Sequence, residues 1–275
     1  MSYKLICIDM DGTLLNDEKK VSEENKKAIK DAHDKGVHIA ICTGRLFTSA
    51  KNYGDIIGVK APIIASNGAY IREKDEERVI YKKTIDRDIA IKIYETIKKF
   101  KFSKFFNTFD VIASEGPFPD WYMYIKFNEG LPEEKRIKLK EYETFYDFIK
   151  ESNGEILKFV AASKDIEELE TAKVELRKLN DIEIFRSSPM NFEINAKGVS
   201  KGNAVKKLAE IYGLDSSEVI CIGDSNNDMS MIEYAGLGVA MRNAEDEVKD
   251  IADYITETNN NCGVAKVIRE FILDK

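Results

Sequence analysis

Histidine is almost absent from this 275-residue chain, which contains only His33 and His38. Two imidazoles exclude a multi-histidine metal site, so we expect carboxylates or lysines to carry any acid–base chemistry. Proline and glycine are also few, at 5 and 16 residues, which excludes a collagen-like or linker-dominated chain. No apolar run is long enough to span a bilayer. The 43% share of hydrophobic residues that remains is typical of a globular protein.

The four cysteines form no CxxC pair, and Cys7, Cys42 and Cys221 lie inside short apolar runs. We therefore expect buried, reduced thiols that act as small apolar residues. The apolar start at residues 5–8 is interrupted at once by acids, so no signal peptide is evident. Together these features predict a cytoplasmic protein that has no membrane segment.

Acidic residues outnumber basic ones, 49 against 42, which gives a formal net charge of −7. The chain also lacks a sustained basic tract, so we do not expect nucleic acid as a partner. Most of the acids are expected on the solvated surface. An acidic protein that acts on anions would need a locally positive pocket.

Short apolar runs alternate with helix-like segments at both ends of the chain. Residues 4–8, 37–41 and 62–66 are predicted strands separated by single helices, and 219–223 and 237–241 repeat the pattern. Single helices between such strands indicate βαβ units and a parallel sheet. The sequence therefore predicts an α/β fold with a Rossmann-like core.

The middle of the chain has a different pattern, in which predicted strands outnumber helices. Residues 121–127 (WYMYIKF) are rich in aromatic side chains and are predicted as an alternating, half-buried strand. We expect residues 85–195 to form an inserted α+β domain with an antiparallel sheet. Residues 1–84 and 196–275 would then form the α/β core that this domain interrupts.

Two acids follow the first predicted strand directly. Asp9 and Asp11 are two residues apart, and Gly12 allows a tight turn after them. Open α/β sheets bind ligands at the carboxyl ends of their strands. Carboxylates this close repel each other, so they need a cation or a shared proton. Taken alone, the same residues are equally typical of an Asx turn.

Three further polar clusters follow or precede other core elements. Thr43 and Gly44 offer a hydroxyl and free backbone N–H groups for an anion, although, taken alone, an ordinary N-cap threonine explains them better. Lys201 lies at the start of a predicted helix, where a cation is unfavourable unless it reaches an anion. Asp224 and Asp228 flank amides and a hydroxyl, and hard oxygen ligands of this kind suit Mg²⁺.

Taken in order, the clusters DxDGT, TG, K and GDxxND resemble the haloacid dehalogenase-like (HAD) superfamily, in particular its Cof-type phosphatases with a large α/β cap. The likeness covers essentially the whole chain. It includes ASNGA at 65–69, EINAKGVSKGNAV at 193–205, GVAMRNAEDEVK at 238–249 and NCGVAKVI at 261–268. The resemblance implies an Mg²⁺-dependent phosphatase that hydrolyses small phosphorylated metabolites, with sugar phosphates as the expected substrates.

The resemblance also implies a role for each residue of the motifs. Asp9 would be the nucleophile that forms an aspartyl-phosphate, and Asp11 would be the general acid and then the base. Lys201 would be the third catalytic residue, which offsets the phosphoryl charge. The implied phosphate-binding residues are Met10, Thr43, Gly44, Lys201 and Asn227. The implied metal ligands are Asp9, Asp11 through its carbonyl, Asp224 and Asp228, the last also as a residue that orients Lys201 or metal-bound water.

Two other functions stay open at this point. A sugar-phosphate phosphotransferase or mutase would pass the phosphoryl group to a sugar hydroxyl, and a cap that excludes water would favour it. A non-enzymatic signalling module would keep phosphorylated Asp9 as a switch, although Asp11 would hasten its hydrolysis. The absence of GxxxxGK[ST] argues against a P-loop NTPase.

Substrate choice is assigned to the inserted domain, because the four motifs see only the phosphoryl group. The candidate residues there are Trp121, Tyr122, Tyr124, Arg186 and Asn191, although core or surface packing is the commoner role for each of them. Arg45, next to the phosphate loop, is interpreted either as an ion-pair residue or as a functional one. The sequence does not distinguish a monomer from a homodimer.

Overall fold

The computed structural model describes residues 3–274, and this part of the chain forms two β-sheets and the helices that cover them. The strands are β1 (Leu5–Asp9), β2 (His38–Cys42), β3 (Pro62–Ala65), β4 (Tyr70–Glu73), β5 (Val79–Lys82), β6 (Ser103–Asn107), β7 (Val111–Glu115), β8 (Lys138–Tyr142), β9 (Lys158–Ala162), β10 (Ile182–Phe185), β11 (Asn191–Ala196), β12 (Val219–Gly223), β13 (Leu237–Ala240) and β14 (Tyr254–Ile255). The helices are α1 (Glu23–Asp34), α2 (Phe47–Gly54), α3 (Arg87–Ile97), α4 (Met123–Asn128), α5 (Phe145–Glu151), α6 (Ile166–Leu176), α7 (Lys201–Tyr212), α8 (Met229–Tyr234), α9 (Asp246–Ile251) and α10 (Gly263–Ile268).

The larger sheet, which we call the core sheet, has the strand order β14-β13-β12-β1-β2-β3-β4-β5. Its first six strands run parallel, and β4 and β5 continue it in antiparallel fashion. Every residue of β1, LICID, is buried, as expected for a central strand covered on both faces. The α/β fold with a parallel core sheet is thus confirmed.

Helix caps in the core follow the sequence closely. The Ser22 side chain accepts a hydrogen bond from the backbone N–H of Asn25 at the start of α1. Ser200 caps α7 in the same way, and Gly213 ends that helix with a left-handed φ of +68°. Serine is a favoured residue at the N-cap and glycine at the C-cap, so the sequence itself marks these helix ends. They fix the point at which each helix begins next to the sheet.

The smaller sheet, which we call the cap sheet, has the order β10-β11-β9-β6-β7-β8. Its pairs are antiparallel, as expected, except for β7 and β8, which run parallel. Phe106, Phe159 and Phe192 are fully buried on the face that packs against α3, α5 and α6. The opposite face carries polar residues, among them Lys158 and Glu193.

The prediction of a strand over residues 121–127 is wrong. Tyr122 is the N-cap of α4, and the segment continues as a helix to Asn128. Tyr122 and Tyr124 are buried while Met123 is half-exposed, so burial alternates here as in a strand. A helix of six residues is too short for a 3.6-residue period to show, and the alternation imitates a period of two.

All four cysteines are unpaired, and Cys7, Cys42 and Cys221 are buried, as the apolar runs around them predict. Within residues 3–274, no helix has both the length and the apolar character needed to cross a membrane.

Candidate active site

The predicted site residues meet at the carboxyl end of the core sheet. β1 ends at Asp9, which pairs in register with Cys42, so Thr43 follows immediately beside it. On the other side of β1, β12 leads directly into Asp224. Because parallel strands end at the same edge of a sheet, segments far apart in the sequence converge here.

A buried lysine joins two of the acids. The side chain of Lys201, the first residue of α7, is fully buried. Its Nζ donates to Asp9 Oδ1 at 2.7 Å and to Asp228 Oδ1 at 2.5 Å. A cation at a helix N-terminus is unfavourable by itself, and these two carboxylates offset that penalty. The unusual position of this lysine in the sequence is thereby explained.

Asp224 is held against the turn that follows β1. The Thr13 hydroxyl donates to Asp224 Oδ1 at 2.9 Å. A Cβ atom at Gly12 would lie only 2.3 Å from Asp224 Oδ2, and Gly12 has a left-handed φ of +82°. Only glycine therefore allows this carboxylate to approach the turn so closely.

The carboxylates of Asp9, Asp224 and Asp228 form one cluster, whose ligand oxygens lie within 4.8 Å of one another. Burial, and then the charge of Asp228, raise the pKa of Asp9 well above its ordinary value and that of Asp224 to about 7. Burial opposes the charge on Lys201, but Asp228 and Asp9 outweigh it and raise the lysine pKa. Three acids around one ammonium leave an excess of negative charge, and their oxygen donors fit a divalent cation such as Mg²⁺.

Asp228 has both of its oxygens engaged by donors from the protein. Oδ2 accepts hydrogen bonds from the backbone N–H groups of Asp224 and Ser225, each at 3.0 Å. Oδ1 accepts from Lys201, and the residue is fully buried. These contacts hold Asp228 in place and suit the role of orienting Lys201, while direct metal ligation by Asp228 stays a prediction.

Residues 43–45, which we call the Thr43 loop, present a hydroxyl with a defined direction. The backbone N–H of Arg45 donates to Thr43 Oγ1 at 3.1 Å. With that lone pair engaged, the hydroxyl hydrogen is free to donate to an anion. Met10, also predicted to bind phosphate, has a fully buried side chain in the apolar core, so only its backbone is suited to that contact.

Asn227 faces Gly44 of the Thr43 loop from across the sheet edge. Its Nδ2 donates to Asn67 Oδ1 at 3.1 Å, and the same Nδ2 lies 3.5 Å from where a Cβ of Gly44 would be. Asn67 is fully buried and has a left-handed φ of +59°. Gly44, Asn67 and Asn227 are thus neighbours around one small space.

Asp11 turns toward a different set of cations from those around Asp9. Arg45 donates from Nε and Nη2 to its two carboxylate oxygens at 2.6 and 2.7 Å, and Lys19 adds a contact at 2.9 Å. Burial alone would raise the Asp11 pKa, but Arg45 and then Lys19 lower it to about 2. Arg45 is therefore an ion-pair residue, and it is buried.

The candidate substrate residues of the middle segment have separate environments. Tyr122 and Tyr124 are buried in a cluster with Leu46 of the core, and Tyr122 stacks on Phe105 at 4.3 Å between ring centroids. Trp121 is 62% exposed. Arg186 pairs with Glu245 and Glu247, and the Asn191 side chain accepts from the backbone N–H groups of Ser187 and Ser188.

Four polar residues near the Thr43 loop are not indicated by the sequence motifs: Asn67, Lys158, Glu193 and Asn195. The Lys158 side chain contacts the Gly44 carbonyl, and Glu193 accepts a hydrogen bond from Asn67 Nδ2 at 2.6 Å. Asn195 Nδ2 donates to the backbone of Ser66. A signal was present, because Asn67 and Glu193 both lie within the stretches that carry the family resemblance.

Comparison with known proteins gives one consistent family. The family model for haloacid dehalogenase-like hydrolases matches residues 6–268. The chain is 36% identical over 273 residues to 5-amino-6-(5-phospho-D-ribitylamino)uracil phosphatase YcsE of Bacillus subtilis, with 99% of this chain and 97% of that protein aligned. It is 34% identical to the putative phosphatase YxeH of the same organism, over 99% of this chain and all of that one.

Solved structures agree with the sequence relatives. A haloacid dehalogenase-like hydrolase from B. subtilis superposes with a TM-score of 0.87 at 29% identity, covering 98% of this chain and 100% of that one. A HAD subclass IIB sugar phosphatase, BT4131, superposes with a TM-score of 0.78 at 25% identity, covering 98% of each chain.

Proposed function

We propose that this chain, which belongs to the haloacid dehalogenase-like hydrolases and is a phosphatase of phosphorylated small molecules, hydrolyses sugar or sugar-alcohol phosphates. The proposed reaction uses Mg²⁺ and passes through an aspartyl-phosphate on Asp9. The observation that carries the proposal is the contact of Lys201 Nζ with Asp9 Oδ1 at the end of the central strand, beside Asp224 and Asp228. A carboxylate held by a buried ammonium is arranged to meet a dianionic phosphate.

In the first step an Asp9 oxygen attacks phosphorus as the bond to the leaving oxygen breaks. The leaving oxygen takes a proton from Asp11, which must first be protonated and released from Arg45. In the second step water attacks the aspartyl-phosphate and gives its proton to Asp11, and the bond between phosphorus and Asp9 breaks. Inorganic phosphate and free Asp9 are the products, so the enzyme returns to its starting state.

Phosphoryl transfer depends mainly on positioning and on charge stabilisation. We assign that work to Lys201, the Thr43 hydroxyl, the Gly44 N–H, the Met10 backbone and the Asn227 amide. Asp9, Asp224 and the Asp11 carbonyl would hold Mg²⁺, with Asp228 beside them. When bound, the ion would offset the repulsion between the nucleophilic carboxylate and the phosphoryl oxygens.

The substrate class rests on two relatives. The name of YcsE specifies a phosphoribityl compound, and BT4131 is described as a sugar phosphatase. Both kinds of molecule carry a phosphate ester on a polyhydroxylated carbon chain. We propose residues 85–195 as the cap domain that recognises the carbon chain of the substrate, since the cap sheet contacts Gly44 of the Thr43 loop.

The deciding experiment is a screen of sugar and sugar-alcohol phosphates with Mg²⁺, in which wild type is compared with Asp9→Asn. We expect Asp9→Asn to abolish phosphate release while its circular dichroism stays that of the wild type. Asp34→Asn, which changes an exposed acid on α1, should retain full activity. Equal hydrolysis by Asp9→Asn and wild type would refute the nucleophile assignment.

The same screen separates the alternatives. Free phosphate released without an acceptor sugar indicates a phosphatase, whereas a phosphotransferase or mutase requires the acceptor. A signalling module would accumulate phosphorylated Asp9 and release little phosphate. A cytoplasmic location stays a prediction from the sequence, and the choice between monomer and homodimer stays open.

A further inference from the structure

The face of the cap sheet that lies opposite α3, α5 and α6 contains a buried ion pair. Lys158 Nζ lies 3.1 Å from Glu193 Oε2, and the two side chains are only 5% and 7% exposed. Lys158 is the first residue of β9, and Glu193 lies on the neighbouring β11. Removing two charges from water costs free energy that their attraction alone often fails to recover. The other contacts of each partner therefore show what the pair does.

Lys158 is bonded to the Thr43 loop. Its Nζ donates to the backbone carbonyl of Gly44. The same peptide unit carries the Arg45 N–H, which donates to Thr43 Oγ1 at 3.1 Å. Hydrogen bonds in such a chain polarise one another, so the ammonium strengthens the bond that directs the Thr43 hydroxyl. A lysine of the cap sheet thus acts on a phosphate-binding group that it does not touch.

Glu193 is bonded to the opposite side of the same space. Its Oε2 accepts from Asn67 Nδ2 at 2.6 Å, and Asn67 Oδ1 in turn accepts from Asn227 Nδ2 at 3.1 Å. Asn67 Nδ2 also donates to Asn195 Oδ1 at 3.1 Å, so with its nitrogen engaged on this side Asn67 presents its oxygen to Asn227. The other oxygen, Oε1, accepts from the Ser187 hydroxyl at 3.2 Å. Glu193, together with Asn195, thereby sets the direction of the Asn227 amide through one intermediate side chain.

We propose that Lys158 and Glu193 are positioning residues, which order the phosphate-binding groups Thr43 and Asn227 only when the cap sheet is seated on the core. The proposal rests on the proposed function. Neither side chain needs to touch substrate, so the pair acts on any phosphate ester, including one with no sugar hydroxyl. Seating of the cap is thereby tied to formation of the phosphate site.

The test uses the full chain, p-nitrophenyl phosphate and saturating Mg²⁺. We expect Lys158→Met to lower kcat about tenfold to hundredfold, the size of loss produced by small misplacements of reacting groups. The inhibition constant of inorganic phosphate should rise in the same variant. The matched control is Lys82→Met. It breaks another ion pair between the core and the inserted segment, in which Lys82 of β5 lies 2.7 Å from Glu155. This pair is away from the Thr43 loop.

A second pair of variants keeps the test decisive if Lys158→Met does not fold. Glu193→Gln keeps a side-chain acceptor for Asn67 and should retain more kcat than Glu193→Leu, which leaves Asn67 with Asn195 alone. Thermal unfolding and circular dichroism identify the folded variants.

A change confined to KM for sugar phosphates, with p-nitrophenyl phosphate turnover unaffected, would overturn the proposal, because it would make the pair a substrate-binding one. Equal losses in Lys158→Met and Lys82→Met would overturn it too. If the wild type releases no phosphate from any ester, the proposed function itself fails, which is a separate result.

Discussion

Arg45 grips Asp11 through two parallel hydrogen bonds, from Nε at 2.6 Å and from Nη2 at 2.7 Å. The guanidinium also contacts the Ser49 hydroxyl at 3.3 Å and lies over the Tyr53 ring, 4.7 Å from its centroid. The residue proposed to deliver a proton is therefore held as a carboxylate in this state. Proton delivery requires the Arg45–Asp11 ion pair to break, and an incoming phosphate dianion would compete with Asp11 for the guanidinium.

The Arg45 pair should contribute measurably to stability. We expect Arg45→Met to lower the free energy of unfolding by about 1.5–3 kcal/mol, because hydrogen bonds to charged groups contribute about that much. The free energy of unfolding of Arg45→Lys should lie between those of the wild type and Arg45→Met, since an ammonium keeps the charge but cannot reproduce the planar fork of the guanidinium. Urea denaturation measures both. The control is Lys19→Met, which removes a half-exposed lysine from the same carboxylate and should cost less than about 1 kcal/mol. Equal costs at Arg45 and Lys19 would contradict the expectation.

Mg²⁺ should stabilise the fold through the acid cluster. A ligand that binds only the folded state adds about 2.7 kcal/mol when present at 100 times its dissociation constant. We therefore expect Mg²⁺ to raise the Tm of the wild type, and EDTA to reverse the rise. Asp224→Asn should abolish most of the shift, while Asp34→Asn on the exposed face of α1 should keep it. A full shift in Asp224→Asn would remove that residue from the metal site.

Two glycines with similar backbones allow the approach of Asp224 to be tested separately from backbone strain. Gly12 and Gly36 have φ values of +82° and +87°, but a Cβ would meet Asp224 only at Gly12 and would meet no atom within 4 Å at Gly36. Gly36→Ala should cost about 1–2 kcal/mol, the left-handed penalty alone, and keep activity. Gly12→Ala should cost more and also lose the Mg²⁺-induced rise in Tm. Similar behaviour of the two variants in both measurements would show that contact with Asp224 does not matter.

His38 gives the stability of the protein a pH dependence of known sign. Burial, and then the charge of His33, lower the pKa of His38 below its ordinary value of 6.5. The unfolded chain therefore binds more protons between the two pKa values, and stability rises as pH increases through that window toward 6.5. We expect the difference in unfolding free energy between wild type and His38→Gln to increase from pH 5 to pH 7. His33→Gln, which leaves His38 and its stacking on Tyr212 in place, should keep most of the dependence. An unchanged difference across the range would contradict the assignment.

The sequence predicts which residues meet at the end of the core sheet where the signal is local. Asp9 ends an apolar strand, Thr43 and Asp224 each follow one, and parallel strands of one sheet bring such positions together without further information. Ser200 reveals the start of α7, and with it the odd location of Lys201. These inferences depend on neighbours in the sequence and on the rules of one sheet.

The parts that sequence patterns missed depend on contacts between distant segments. Glu193 and Asn67 are 126 residues apart, and nothing in either strand or loop pattern pairs them. The pairing of Asp11 with Arg45, and not with the residues around Asp9, depends in the same way on the orientation of one side chain. Short elements such as α4 fail for another reason, since fewer than two helical turns cannot display a period.

The central position of β1 has a consequence for biosynthesis. β1 pairs with β2 on one side, but its other neighbour, β12, lies far along the chain, with Leu5 opposite Val219. At about 5–20 residues per second, a ribosome makes β12 roughly 10–40 s after β1 and β2. During that interval an apolar strand edge waits without a partner, open to other nascent chains. Aggregation during synthesis, rather than instability of the finished enzyme, is the hazard that this strand order creates.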